Sequence, residues 1–267
     1  MKKTLVYHLY VMDNCRENFM YDIHKICLNK YIHIFDEIKI VVCVNDLNKH
    51  DLILFGYEWI LSLNIRCPLQ INILKNDELG ESRTFKREVV ECGSDGMVFF
   101  AHSKGVTHYE NKTIPHSILH WVAVLYFYNL ENTLEVETEF NNGKLSMGAL
   151  YGDGSKYNNC LIPNHYEGAF FWVNMDKYKI MQKVNAIPKV DALDRGFAEM
   201  YFGNVYKIMN HRNIMGSYSN VILGPYDINS YCADETEWLS LCKRYGRDTD
   251  YMDFVRDICK QINYVIL

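Results

Sequence analysis

The chain has 267 residues, 49% of them hydrophobic and 23% charged, which excludes a disordered protein and suffices for one large buried core. Lysine and arginine number 28 against 33 aspartate and glutamate, for a formal charge of −5 and an isoelectric point near 6.1. That acidity argues against nucleic acid as a partner, since sequence-independent binding relies on many phosphate-neutralising cations.

In chain order, the opening MKKTLVYHLYVMDN starts with two lysines like a leader. Its apolar stretch is short, lacks a small-residue cleavage site and contains His8, so Leu5–Val11 is read as a first strand. Phe19 to Phe35 carries apolar residues at helical spacing, and Ile38–Val44 is a β-branched run closed by the turn signal Asn45-Asp46. Tyr57–Leu63 reads as helix, Gln70–Leu74 as a strand ending at Asn76-Asp77, and Glu81–Glu91 as a charged amphipathic helix. Met97–Ala101 is a buried strand that stops at His102. Strands that are apolar on both sides and separated by helices predict a mostly parallel α/β sheet covered on both faces. The polar residues after each strand would then meet at one edge, where such sheets bind ligands.

Further on, Ile118–Leu130 predicts an aromatic helix, Leu145–Tyr151 and Gly168–Asn174 predict strands, and a helix follows through Tyr178 and Met181. Asp194–Gly203 reads as helix and Tyr206–Met209 as a short strand. Glu235–Arg244 and Asp250–Ile262 read as terminal helices. No apolar run reaches the ~20 residues that span a bilayer. The nine cysteines are scattered, odd in number and without a CxxC pair, a pattern that fits reduced thiols in the cytoplasm better than a disulfide frame or zinc site.

Four segments could carry chemistry. MVFFAHSKGVTHY ends an apolar strand in His102-Ser103-Lys104-Gly105, where a lysine can meet phosphate oxygens and a glycine permits a tight turn. LSMGALYGDGSK places Asp153 in a loop after a strand, suited to a ribose, a sugar hydroxyl or a metal. IPNHYEGAFFWVNMDKY sets His165 and Glu167 beside Phe170, Phe171 and Trp172, a polar pair next to aromatic faces such as a sugar prefers. DALDRGFAEMYFGN carries Asp194 and Glu199, either of which could take a proton from a hydroxyl. Each has a plain alternative: a solvated strand end, a Gly-Asp-Gly turn, an aromatic core strand, and a surface Arg195–Glu199 pair. HSILH lacks the glutamate of HExxH, and no Walker loop, GxGxxG or GxSxG before a helix occurs.

The run from Asn76 to Gly105 resembles the centre of a GT-A type nucleotide-sugar glycosyltransferase, where a helix with a basic or amide residue leads to a strand ending in Asp-x-Asp. Here Arg83 and Arg87 lie on the helix, and His102-Ser103-Lys104 stands in the place of Asp-x-Asp. More narrowly, MVFFAHSKG, HSILHW, HYEGAFFWVNMDKY and AEMY are similar, in that order, to a group of bacterial polysaccharide-biosynthesis transferases. That group carries an H-[ST]-K-G strand end, a tryptophan-bearing helix, an H-[FY]-x-G-x-[FW]-W segment and an A-E-[FM]-[WY] helix. The likeness spans about residues 1–210. It departs at Glu167, where the group more often has Ser, and in the missing Asp-x-Asp, which weakens the usual manganese role.

The resemblance implies a GT-A-like domain over residues 1–210 with a helical extension over 211–267 packed on it. It also implies transfer of a sugar from a UDP-linked donor to a saccharide or lipid-linked saccharide acceptor, in the cytoplasm and with room for contact with the inner face of a membrane. In that scheme Asp13, Asn45 and Asp46 hold the nucleoside, while His102, Ser103 and Lys104, with Arg83 and Arg87, meet the diphosphate. Asp153, His165, Glu167 and Trp172 line sugar or acceptor, and Glu199 or Asp194 deprotonates the acceptor. Fixed cations could stand in for a divalent Mn²⁺ or Mg²⁺, so no metal ligand is assigned. Two rivals share the fold class: a non-catalytic sugar or nucleotide-sugar binding subunit, and a nucleotidyltransferase. Against the latter, Val11–Glu17 has one arginine and no glycine, unlike a Gly-rich basic loop.

Overall fold

Lys3–Val11 (β1), Glu37–Val44 (β2), Leu69–Lys75 (β3) and Met97–His102 (β4) are parallel neighbours in the order β3-β2-β1-β4. The computed structural model describes residues 1–91, 94–109, 116–152, 165–184, 187, 198, 201, 219–221, 235–244 and 246–262. Beyond β4 the sheet continues with Phe171–Asn174 (β8), Ser146–Gly148 (β5) and Ser219–Val221 (β9). β8 runs antiparallel to both β4 and β5, and β9 is parallel to β5. Tyr151–Gly152 (β6) and His165–Tyr166 (β7) form a separate two-stranded ribbon.

Alternation along the strands divides the core into two layers. Leu5, Tyr7 and Leu9 face one side, under Met20–Tyr31 (α1), His50–Leu61 (α2) and His116–Glu131 (α4). Val6, Val98 and Phe100 face the other, against Phe85 of Glu81–Phe85 (α3) and Tyr178 of Met175–Lys183 (α6). The architecture is α/β, a mostly parallel sheet with helices on both faces.

Residues Ile118–Leu130 of α4 are buried without a polar stripe, as expected of a helix enclosed on every side. Its outer flank is closed by Glu235–Arg244 (α7) and Asp248–Gln261 (α8). Phe254 packs on Phe127 at 5.6 Å between ring centres, and the Tyr251 hydroxyl lies 2.8 Å from His120 Nδ1. The stretch after residue 210 thus supplies a sheet strand, β9, as well as helices.

Several boundaries differ from expectation. α2 begins at His50, seven residues before the predicted start, and passes through Gly56. That glycine is needed because a Cβ there would sit 2.7 Å from Val42 Cγ1 in the sheet below. The predicted helix Glu81–Glu91 is five residues of α-helix followed by a π-turn over Lys86–Glu91. Strand Leu145–Tyr151 is split into β5 and β6 around Leu150, whose φ is 55°. Thr133–Asn141 (α5) had no predicted counterpart. Tyr206–Met209 lies outside the described residues, as does Asp194–Gly203 apart from Ala198 and Tyr201. Among the described residues no helix is long and apolar enough to cross a membrane.

Candidate functional site

The chain steps outward from β1 to β2 to β3, then returns to lay β4 on the other side of β1. Strand order therefore reverses between β1 and β4, the place where open α/β sheets bind ligands beyond their carboxyl ends. A cleft of about 540 Å³ lies there, within the usual size of small-molecule sites. His8 and Tyr10 line it from β1, Asn76, Asp77 and Glu78 from the turn after β3, and Glu81 from α3. The opposite wall is His102 to His108, at the end of β4.

That wall is held from several sides. A carbonyl can only accept, so His102 carries a proton on Nε2 and donates to Gly168 O at 2.8 Å, with its ring 5.7 Å from Phe170. Ser103 ties β4 to β1: its amide donates to His8 O at 2.9 Å, and its hydroxyl accepts from Tyr10 N at 2.9 Å. Lys104 Nζ stands 4.3 Å from the centre of the Trp121 ring, a cation–π contact. Gly105 has φ +87°, and a Cβ there would lie 2.8 Å from Ile118 Cγ2 and 2.9 Å from Met20 Cε, so no other residue fits this turn unstrained. Gly168, at φ +69°, sits where a Cβ would be 2.8 Å from Leu125 Cδ1 and 3.8 Å from Lys104 Cε. Three segments distant in sequence, His-Ser-Lys-Gly, the Trp121 helix and the turn at Gly168, thus meet around the Lys104 side chain.

On the other wall Tyr10 Oη donates to Asn45 Oδ1 at 3.0 Å, and Asn76 Nδ2 donates to the same oxygen at 3.2 Å, joining the tips of β1, β2 and β3. One oxygen of Asp77 accepts from Leu79 N at 3.0 Å and the other is ion-paired with Arg83. His8 Nδ1 lies 2.8 Å from Thr84 Oγ1. Burial pushes the His8 imidazole down to about 4, with Glu81 pulling it up and His102 pushing it further down, so it is neutral at pH 7. Asp77, Glu78 and Glu81 make the cleft acidic, and Lys104 is the one lysine or arginine among the described residues lining it.

The residues singled out from sequence separate into groups. His102, Ser103 and Lys104 line the cleft, and Asn45 stands one hydrogen bond behind it. Ser103 faces it with a hydroxyl already bound to the main chain of Tyr10. Asp13 pairs with Lys49 at 2.7 Å, and Asp46 closes a turn by accepting from Asn48 N at 2.9 Å; neither is among the lining residues. Arg83 is held by Asp77 and Arg87 by the buried Glu88 at 3.2 Å, and both line a second groove of about 310 Å³ with Leu74, Leu79 and Lys86. The expected arginines of the helix therefore do not reach the cleft lining. Asp153, Asp194 and Glu199 lie outside the described residues, as do the side chains of His165 and Glu167. Beside Glu199, Ala198 N donates to Ser82 Oγ of α3 at 3.2 Å, and Tyr201 Oη is 2.6 Å from Tyr178 Oη. Among the described residues no group of three or more His, Cys, Asp or Glu is placed to hold a metal ion.

Trp172 requires a correction. Expected to meet a sugar, it is fully buried, with Nε1 donating to Asn129 O at 2.9 Å and its ring packed against both Phe35 and Phe99. Its place at the centre of an aromatic strand accounts for this. Trp172→Ala is expected to destabilise the fold by roughly 3–5 kcal/mol, read as a lower urea midpoint. A variant of unchanged stability that had lost only sugar affinity would restore the first reading.

Asn76-Asp77, expected from sequence at the ligand edge, lines the cleft, whereas the sequence reading passed over His8, Tyr10 and Glu81. Two had a visible signal: a histidine and a tyrosine alternating at the end of an otherwise apolar strand that points at the ligand edge.

No family model matches the chain, and no curated protein matches it by sequence. Among solved structures it is similar to 4-diphosphocytidyl-2C-methyl-D-erythritol synthase from Anaerococcus prevotii, at 8% identity and a TM-score of 0.40, covering 92% of this chain and 99% of that one. It is similar also to residues 1–349 of S. aureus TarS, at 11% identity and a TM-score of 0.36, covering 94% of this chain and 74% of that one. A third similar structure is mouse xyloside xylosyltransferase 1, at 8% identity and a TM-score of 0.34, covering 94% of this chain and 93% of that one. At such identities the likeness carries no information about substrate.

Proposed function

We propose that the protein is a glycosyltransferase that moves a sugar from a nucleoside diphosphate donor, with UDP as the nucleotide, to a saccharide or lipid-linked saccharide in surface polysaccharide synthesis. The observation that carries this reading is Lys104. It lines the cleft at the strand-order reversal, where a ligand's phosphates would come, with its ammonium held over the Trp121 ring.

In this mechanism the acceptor's hydroxyl oxygen forms a bond to the anomeric carbon, the bond between that carbon and the diphosphate oxygen breaks, and its electron pair stays on the departing phosphate. Lys104 stabilises that growing charge from a fixed position. Tyr10 and Asn76, joined through Asn45, take the nucleoside, and Asp153, His165 and Glu167 line the sugar. Glu199 or Asp194 takes the acceptor's proton if the configuration inverts; a retaining reaction needs no such base. The enzyme works in the cytoplasm, at the inner face of the membrane where its acceptor is lipid-linked.

The test is a thermal-shift panel of UDP-, GDP-, CMP- and dTDP-sugars, with and without Mn²⁺. A donor present at about 100 times its dissociation constant stabilises the folded state by about 2.7 kcal/mol, enough to raise Tm by several degrees. UDP-sugars are expected to give the largest rise. A flat panel removes the reading, and binding with no nucleotide released in any acceptor screen turns it into a binding subunit.

A further inference from the structure

On the core side of the turn that carries Lys104 lies a buried polar chain, His24, Tyr126 and Tyr7, none of which lines the cleft. His24, on α1, is fully buried. Its Nε2 is 2.8 Å from the carbonyl oxygen of Lys104 and its Nδ1 is 2.8 Å from Tyr126 Oη on α4. Tyr126 Oη lies 3.5 Å from Tyr7 Oη on β1, and the Tyr7 ring stacks on Trp59 at 5.7 Å.

The roles of these atoms follow from the chemistry. A carbonyl oxygen cannot donate, so Nε2 holds the proton and donates to Lys104 O. In neutral imidazole Nδ1 is then an acceptor, and Tyr126 donates to it. The chain is directional and ends on the main chain of Lys104, the one lysine or arginine among the described residues that line the cleft. Burial keeps the imidazole uncharged at neutral pH, which preserves this arrangement. The same turn is fixed from the sheet side by Lys104 N donating to His102 O at 2.7 Å and by Ser103 N donating to His8 O at 2.9 Å.

We propose that His24 is a positioning residue: its hydrogen bond to the Lys104 carbonyl, aimed by Tyr126, sets the turn so that the Lys104 side chain enters the cleft over Trp121. The effect on ligand rests on the proposed function, in which Lys104 meets a diphosphate; the effect on the turn does not.

The test uses the full chain, UDP as probe and two readouts. Calorimetry measures UDP binding in His24→Leu, His24→Gln and Tyr126→Phe, alone and combined with Lys104→Ala. Amide exchange of residues 102–108 is followed without ligand. His24→Leu is expected to weaken UDP binding roughly tenfold, as loss of one buried donor to the turn implies, and to speed exchange across 102–108. Combined with Lys104→Ala it adds nothing, because both changes remove the same contact. His24→Gln, whose amide can donate to the same carbonyl, recovers most of the binding lost in His24→Leu. Tyr126→Phe retains the ring and speeds exchange of the turn, which keeps the proposal testable should His24→Leu fail to fold.

The proposal is overturned if exchange over 102–108 is unchanged in Tyr126→Phe and in every folded His24 variant, or if the His24→Leu loss persists undiminished without Lys104. Faster exchange of the turn in a protein that binds no nucleotide would support the positioning role and remove the proposed function.

Discussion

Under the proposed function, sugar transfer by Lys104→Ala is expected to fall roughly 10²–10³-fold, the range seen when one fixed group that stabilises transition-state charge is removed. Affinity for UDP should fall less, about tenfold, because the charge on the departing oxygen is greatest in the transition state. The asymmetry follows from the site. Asp77, Glu78 and Glu81 surround the place where a diphosphate would lie, and Lys104 is the sole lysine or arginine among the described lining residues. Removing it leaves anionic ligand facing anionic protein. Thermal stability should fall far less than transfer, since the half-buried side chain gives up its contact with Trp121 while the main-chain bonds of the turn survive. Transfer assays with EDTA complete the test. Activity that survives the chelator and vanishes with Lys104 supports a site run by fixed cations; full loss restored by Mn²⁺ assigns the charge to a metal.

Acid should unfold this protein earlier than its carboxylates alone would require. His8 and His24 are buried, and burial lowers each from an unfolded value near 6.5 to about 4. Above pH 6.5 neither the folded nor the unfolded state holds a proton on these rings, so they contribute nothing to pH dependence. Between 6.5 and 4 the unfolded chain takes up protons that the folded chain refuses, and stability falls with pH. The full effect is roughly 3 kcal/mol per histidine, together a large fraction of the 5–15 kcal/mol that holds a domain folded. Glu137 behaves differently. Bonds to the terminal amine and to Lys3 hold its carboxyl below the usual value of 4.5, so its contribution begins to fade only near that pH. Urea midpoints at pH 7.5, 5.5 and 4.5 should show a steep loss already at 5.5, shallower in His8→Gln. Equal midpoints at 7.5 and 5.5 would show that neither ring is buried uncharged.

The parts of this molecule readable from sequence are those whose physics is local. β1, β2 and β4 are apolar on both faces and closed by turn residues, so their existence and their common edge were visible. His102-Ser103-Lys104 was visible for the same reason, as an abrupt polar end to MVFFA. Elsewhere the deciding partner is remote. The early start of α2 was hidden by Gly56, which reads as a breaker until Val42 is seen beneath it. The π-turn at Lys86–Glu91 hardly disturbs an amphipathic pattern, yet it is these residues that carry Arg87 beside Glu88. That β8 runs antiparallel is a matter of connection and leaves no mark in FWVN. Trp172 and Tyr10 are both aromatic residues on strands, one enclosed by Phe35 and Phe99 and the other open to the cleft. Only the packed sheet tells them apart.

The cover on α4 has a consequence for how the protein is made. Its aromatic flank, with Phe127 and Tyr128, waits for Tyr251 and Phe254, more than a hundred positions later in translation. While the ribosome works through that interval, the four parallel strands already exist but the helix behind them is bare and greasy. Such a nascent intermediate is prone to aggregate, and a product halted before Glu235 should accumulate in inclusion bodies rather than as folded protein.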